Sequence, residues 1–172
     1  MGNSKKYILT AVTLGVIGAA SAALISLTNL VTRDAIEKNK IDKINKGLAM
    51  IYDENSQFSE ANKIDGDTKY LDSYYVASKN DEKIGYVFQT TGSNMYGKIS
   101  MLVGIDLTYN VGNVYLVVNE QTYAQTLIDN YVNPLNDGSR ALEDVSCGAT
   151  YGAKLVRTMA EEAQSWAKEN LK

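Results

Sequence analysis

The sequence predicts an α+β protein: a single N-terminal transmembrane helix, then an antiparallel sheet, closed by a long C-terminal helix. Three observations predict it. Residues 7–32 carry no charged side chain. Two pairs of β-rich runs follow, the members of each pair separated by a short polar tip. From Tyr151 to Leu171, apolar residues recur at helical spacing.

A helix from Tyr7 to Thr32 reaches about 40 Å at about 1.5 Å per residue, against about 30 Å of bilayer hydrocarbon, so it spans with tilt to spare. Lys5 and Lys6 precede it, whereas Arg33 and Lys38 beyond it are interleaved with Asp34 and Glu37. Acidic residues count little toward orientation, so the basic bias is shallow and favours the N-terminus inside. The expected organisation is a cytoplasmic N-terminus (1–6), a transmembrane helix in the lipid bilayer (7–32) and an extracytoplasmic domain (33–172). The expected location is therefore the inner or plasma membrane, crossed once. The competing reading is a cleaved secretory signal, with Lys5-Lys6 as its basic region and Ala20-Ser21-Ala22 as a small-x-small cleavage site. Apolar residues continue through Leu24, Ile25, Leu27, Leu30 and Val31, past the point where such a signal ends.

From Arg33 to about Tyr52 the helix continues, with Ile36, Ile41, Ile44, Leu48 and Ile51 near helical spacing. Residues 53–69 are polar and read as loop, with Asp65-Gly66-Asp67 a turn rather than a calcium loop. Tyr74–Ser78 and Ile84–Thr90 flank the tip Lys79-Asn80-Asp81-Glu82 and make one hairpin; Ile99–Leu107 and Val111–Asn119 make a second. A short helix fits Thr122–Val132, with Asn133-Pro134 and Asn136-Asp137-Gly138 breaking it. The last helix turns Leu155, Val156, Met159, Ala163 and Trp166 toward the sheet and Glu161, Glu162, Lys168 and Glu169 toward water.

Composition narrows the chemistry. Without histidine, Ser-His-Asp and Cys-His nucleophiles and every His-ligated metal site are excluded, and one cysteine forms neither an internal disulfide nor a CxxC site. Redox chemistry in such a chain falls to an organic cofactor. A formal charge of −3 and the lack of a basic stripe leave no expectation of nucleic-acid binding. The twelve tyrosines suit the packing of flavin rings or of a headgroup region, and equally suit a sheet.

The most informative stretch is Asp144-Val145-Ser146-Cys147-Gly148-Ala149-Thr150, directly before the last helix. The first N–H groups of a helix have no internal partner and the peptide dipoles put partial positive charge there, so an anion is stabilised at that end. Gly148 and Ala149 leave the approach to the Thr150 hydroxyl nearly free of side-chain bulk, and Lys154 lies one turn on. Read locally, Thr150 is an ordinary helix cap. The cap role and modification of the hydroxyl can coexist. Lys154 pairs with a phosphate or is a solvated helix charge. Asp144 positions the acceptor or starts a turn, and Cys147 is a small filler rather than a redox centre.

At these residues the chain resembles the FMN-binding domain family of the Rnf electron-transport complex, which the sodium-translocating NADH:quinone reductase shares. In both complexes the domain belongs to a membrane-anchored flavoprotein subunit. Asp144 matches the family's acidic position, Gly148 and Ala149 its small pair, and Thr150 the threonine that carries FMN as a phosphodiester. Cys147 stands where Ser or Thr is usual, and Gly152 where a second hydroxyl often follows. Gly97 to Asp106 resembles the family's Met-Val-Gly-Ile-Asp strand, and Thr28 to Lys40 its membrane-exit region. After the second strand the family's Glu-Thr-Pro-Gly-Leu-Gly loop is replaced by Glu120-Gln121-Thr122-Tyr123-Ala124, in which Glu120 alone matches.

The resemblance implies FMN on Thr150, with Asp144, Cys147, Gly148, Ala149, Lys154 and Glu120 around it. It implies a relay subunit, with no catalytic residue of its own, in an Rnf complex that couples electron transfer between reduced ferredoxin and NAD to sodium or proton movement. The implied partners are the other membrane subunits and an FAD-dependent flavin transferase. The counterpart in the sodium-translocating quinone reductase is the second reading within this class. A flavin-free structural or assembly subunit of the same fold is the rival, motivated by the missing Pro-Gly-Leu-Gly. A pilin-like subunit lacks its motif here.

Overall fold

The computed structural model of the chain describes residues 2–171, excepting the side chains of residues 2–4, 30, 31, 34, 35 and 37. It separates into two compact units, the second beginning at Lys43. Helix α1 runs Gly2–Ile51. Its Lys5–Asn29 stretch has a mean hydropathy of 2.2, is long enough to cross a membrane and has no buried residue in its most apolar part. A membrane anchor and a signal sequence share this character. Thr10, Thr13 and Thr28 donate their hydroxyls to the carbonyls of Lys6, Leu9 and Leu24, each at 2.9 Å, so their polar atoms are satisfied without water.

The second unit is α+β with a fully antiparallel sheet. Its strands are β1 (Gln57–Phe58), β2 (Asn62–Lys63), β3 (Leu71–Lys79), β4 (Glu82–Asn94), β5 (Gly97–Asp106) and β6 (Val111–Asn119), ordered β1-β3-β4-β5-β6 with β2 also on β3. Both expected hairpins form. The first turns at Asn80 and Asp81, whose φ values of 52° and 64° suit a tight hairpin turn and the residue types that tolerate it. The expected loop 53–69 is corrected by β1 and β2. They pair with Ser78, Ala77, Tyr74 and Ser73, and so cover the otherwise open edge of β3. β4 also runs farther than expected. It turns at Met95-Tyr96 straight into β5, pairing Asn94 with Gly97.

Alternation along the strands gives the sheet two buried faces. Phe88, Met101, Val103 and Ile105 face one cluster, and Val87 and Leu102 face the other. The second face is covered by Leu48 and Ile51 of the last turns of α1. Tyr52 seals that contact by donating its hydroxyl to the Ile105 carbonyl at 2.8 Å, and burial pushes its pKa up to about 12.

The first face is covered by α4 (Thr150–Asn170), which buries Val156, Met159, Ala160 and Ala163 completely. Trp166 is half-buried, its ring 5.5 Å from Tyr74 and 5.8 Å from Phe88. Glu162 departs from expectation: instead of facing water, its Oε1 accepts the Lys69 N–H at 2.7 Å. Between β6 and α4 the chain forms α2 (Ala124–Leu127), a π-helical turn (Ile128–Val132) and α3 (Asn133–Asn136). The expected break therefore falls at Asn136-Asp137-Gly138, where α3 ends and Gly138 takes φ +78°, and not at Asn133-Pro134. Pro134 sits in the first turn of α3, directly after the π-helical turn whose last bond runs from the Asn133 N–H to the Ile128 carbonyl. The Asn136 carboxamide then bonds both the N–H and the carbonyl of Val114, each at 2.8 Å, docking α3 on β6 as another strand would.

Candidate functional site

The loop before α4 is fixed from below and from its own side chains. Tyr131, fully buried, donates its hydroxyl to the Leu142 carbonyl at 2.6 Å, and burial raises its pKa far above the usual tyrosine value. Arg140 Nη1 binds the Asp144 carboxylate at 2.8 Å, the Asp144 carbonyl at 2.9 Å and the Ser146 carbonyl at 3.4 Å. Asn130 holds the Cys147 carbonyl at 3.2 Å. So tied, the chain reaches Gly148 at φ +81°, a left-handed conformation that glycine adopts without penalty.

Ala149, not Thr150, is the residue that caps α4. Its carbonyl accepts the first intrahelical bond, from the Ala153 N–H at 3.0 Å, and no side chain caps the helix. Thr150 is the first helical residue. The N–H groups of Thr150, Tyr151 and Gly152 precede that first bond and have no acceptor within the helix. The local reading of Thr150 as a cap is thereby corrected. Its hydroxyl has no capping task because the residue already has helical backbone geometry.

Gly148, Ala149, Thr150 and Gly152 line one side of a cleft of about 250 Å³. The other side comes from Tyr96, at the β4–β5 turn, and from Gln121 and Tyr123, after β6. Tyr151 completes the rim. Its ring centroid lies 5.2 Å from that of Tyr96, which in turn lies 6.3 Å from Tyr123. Tyr123 and Tyr151 are 54% and 57% exposed, so both residues stand largely in solvent.

Buried Gln121 joins the two segments of that second side: its Nε2 donates to the Gly97 carbonyl and to Asn94 Oδ1. Asn94 spends its own Nδ2 on the Tyr151 carbonyl at 3.0 Å. Thr122 N–H reaches the Tyr96 carbonyl at 2.9 Å. Gly97, at φ +134°, lets the two segments meet, since a Cβ there would strike the Glu120 carbonyl.

Of the residues singled out from sequence, Gly148, Ala149 and Thr150 come together in the cleft. The others lie around it. Lys154 is exposed, its Nζ 6.0 Å from the Tyr151 ring centre at the rim. Asp144 is paired with Arg140 in the supporting loop, Cys147 is buried in the core beneath, and the exposed Glu120 contributes its backbone at Gly97. Sequence reasoning missed Tyr96, Tyr123, Tyr151, Asn94 and Gln121. A signal was available for two: Gln121 and Tyr123 belong to the very segment in which the sequence departs from the pattern it otherwise resembles.

Chemically, the cleft offers a hydroxyl, unpaired N–H groups at a helix start and an aromatic rim. Its lining has no carboxylate, amine or imidazole. It can accommodate a phosphoryl anion and a planar ring, but it holds no group that would deprotonate Thr150. Among the described residues no cluster of potential metal ligands occurs. Comparison of the sequence with models of known protein families and with curated proteins returns no match.

Proposed function

We propose that this chain is a membrane-anchored flavoprotein subunit of an Rnf-type ion-translocating ferredoxin:NAD oxidoreductase, relaying electrons through FMN esterified to Thr150. The observation that carries the reading is Thr150 lining a cleft at the start of the 21-residue α4, behind a left-handed Gly148. FMN fits the residues present. A phosphodiester on Thr150 lies beside the N–H groups of Tyr151 and Gly152, where the helix dipole favours an anion, with Lys154 one turn on. When bound, the flavin supplies one- and two-electron redox chemistry that no side chain of this histidine-free chain can.

The missing base in the cleft supports modification by a separate enzyme. In the attachment step Thr150 Oγ1 bonds to the flavin-side phosphorus of FAD, the pyrophosphate bond breaks, AMP leaves, and the hydroxyl proton passes to a base of the transferase. The tether keeps the cofactor at a high effective concentration on the outer side of the membrane, where a dissociated flavin would be diluted away. In this reading the apolar part of α1 is retained as a single-pass anchor with residues 1–6 in the cytoplasm. The partners are then the other membrane subunits, with sodium or protons as the coupled ion. The same arrangement serves the corresponding flavoprotein subunit of a sodium-translocating quinone reductase.

The test is intact-mass measurement of the full chain purified from cells that make the transferase. The expected result is a gain of one FMN less one water, located on Thr150 by fragmentation, and in-gel flavin fluorescence that disappears in Thr150→Ala. An unmodified mass and a colourless protein overturn the reading and leave the flavin-free structural subunit.

A further inference from the structure

The tyrosine rim has no structural task that requires aromatic rings. Tyr123 and Tyr151 leave more than half their surface in solvent, and neither belongs to the hydrophobic core. Their rings, with that of Tyr96, nevertheless converge from three distant points of the chain on the cleft that Thr150 lines.

Their spacing also restricts what can bind. A planar ring sandwiched between two others needs contacts of about 3.5 Å on each face, hence near-parallel neighbours about 7 Å apart. Tyr96 and Tyr151 are 5.2 Å apart and inclined at 41°; Tyr96 and Tyr123 are 6.3 Å apart and inclined at 53°. Neither pair admits a ring between them, so Tyr96 together with either neighbour can cover only one face of a planar ligand.

Resting on the flavin reading above, we propose that Tyr96, Tyr123 and Tyr151 form a one-sided platform for the isoalloxazine ring of the Thr150-bound cofactor. The platform stands in for the family's glycine loop and leaves the opposite ring face open to a redox partner. Gln121 is its positioning residue, fixing Tyr96 through Gly97 and Asn94 while Tyr123 follows two residues later. Tyrosine in contact with an excited flavin quenches it by electron transfer, so the platform has an optical signature independent of turnover.

The test compares the full-length flavinylated protein with Tyr123→Leu/Tyr151→Leu. Both substituted side chains are largely exposed, so folding is spared. Intact mass is read first, to establish that both proteins carry the flavin. The native wild type is expected to be quenched severalfold relative to the same protein in denaturant. Leucine at both positions is expected to recover most of that loss and to raise quenching by iodide, with the mass unchanged. A native wild type as bright as the denatured one, or a double variant as dark as wild type with its flavin in place, overturns the platform and leaves the Thr150 ester standing. Absence of flavin mass from both proteins overturns the ester and the platform with it.

Discussion

Gly148→Ala isolates the backbone contribution to the site. At φ +81° an alanine is held in the left-handed region, which costs about 1–2 kcal/mol for a residue with a Cβ. Space adds little, because the new methyl would meet only Thr126 Cγ2, at 3.3 Å, and that methyl can yield by a few tenths of an ångström. The loss is a fraction of the roughly 5–15 kcal/mol that holds an ordinary domain, so the variant stays folded. With a urea dependence of about 2 kcal/mol per molar, the unfolding midpoint falls by about 0.5–1 M at unchanged slope. The assay is urea titration of the full chain in detergent, followed by fluorescence of the single tryptophan, Trp166, which packs on Tyr74 and Phe88 under α4. Gly148→Asn should recover part of the loss, since asparagine visits the left-handed region more readily than alanine. If Thr150 carries the flavin ester proposed above, its loading should drop in Gly148→Ala, because relief of the strain moves the start of the helix. An alanine variant with an unshifted midpoint, or an asparagine variant as unstable as alanine, refutes the assignment of strain to this residue.

Tyr131→Phe removes the hydroxyl that supports the Leu142 carbonyl beneath the loop and should cost about 1–2 kcal/mol by the same titration. It should also loosen residues 142–149 enough to raise their amide exchange while leaving the β4–β5 pairing protected. Tyr52 links stability to alkaline pH. Its folded pKa is raised from 10.0 to about 12, chiefly by burial, so its contribution is complete below pH 10 and is lost as pH climbs toward 12. Tyr52→Phe should be less stable at neutral pH and fall less steeply between pH 10 and 12; a parallel decline in both proteins contradicts the linkage.

The two expected hairpins and the C-terminal helix were legible because their signals are local. Aromatic and β-branched runs flank polar tips at residues 79–82 and 107–110, and apolar spacing marks α4. The β4–β5 turn was not legible, since Met95 and Tyr96 are poor turn signals; the turn exists because Gly97 can adopt φ +134°. β1 and β2 were hidden for a different reason. Their residues are polar and become strands only by hydrogen bonding to an edge that a one-dimensional reading does not contain. Pro134 was read as a breaker because its position within a helix turn, rather than its presence, decides its effect.

The site divides along the same line. Gly148, Ala149 and Thr150 are contiguous, and the physics of a helix start makes them readable from three letters and the apolar spacing after them. Tyr96, Tyr123 and Tyr151 are separated by many residues and meet only because β4 and β5 form one continuous hairpin whose tip lies against the segment leaving β6. That approach depends on Gly97 lacking a Cβ and on a buried Gln121 amide that binds the turn from the other side. Gln121 and Tyr123 therefore read as a loss when compared with a glycine loop, yet in three dimensions they furnish the wall opposite Thr150. A glycine loop brings backbone close to a ligand; a carboxamide anchor followed by tyrosine brings an aromatic face instead. In the proposed flavin reading, departure from a short pattern at this position replaces one kind of ring contact by another, and the hydroxyl at the start of α4 is the fixed point that both kinds can serve.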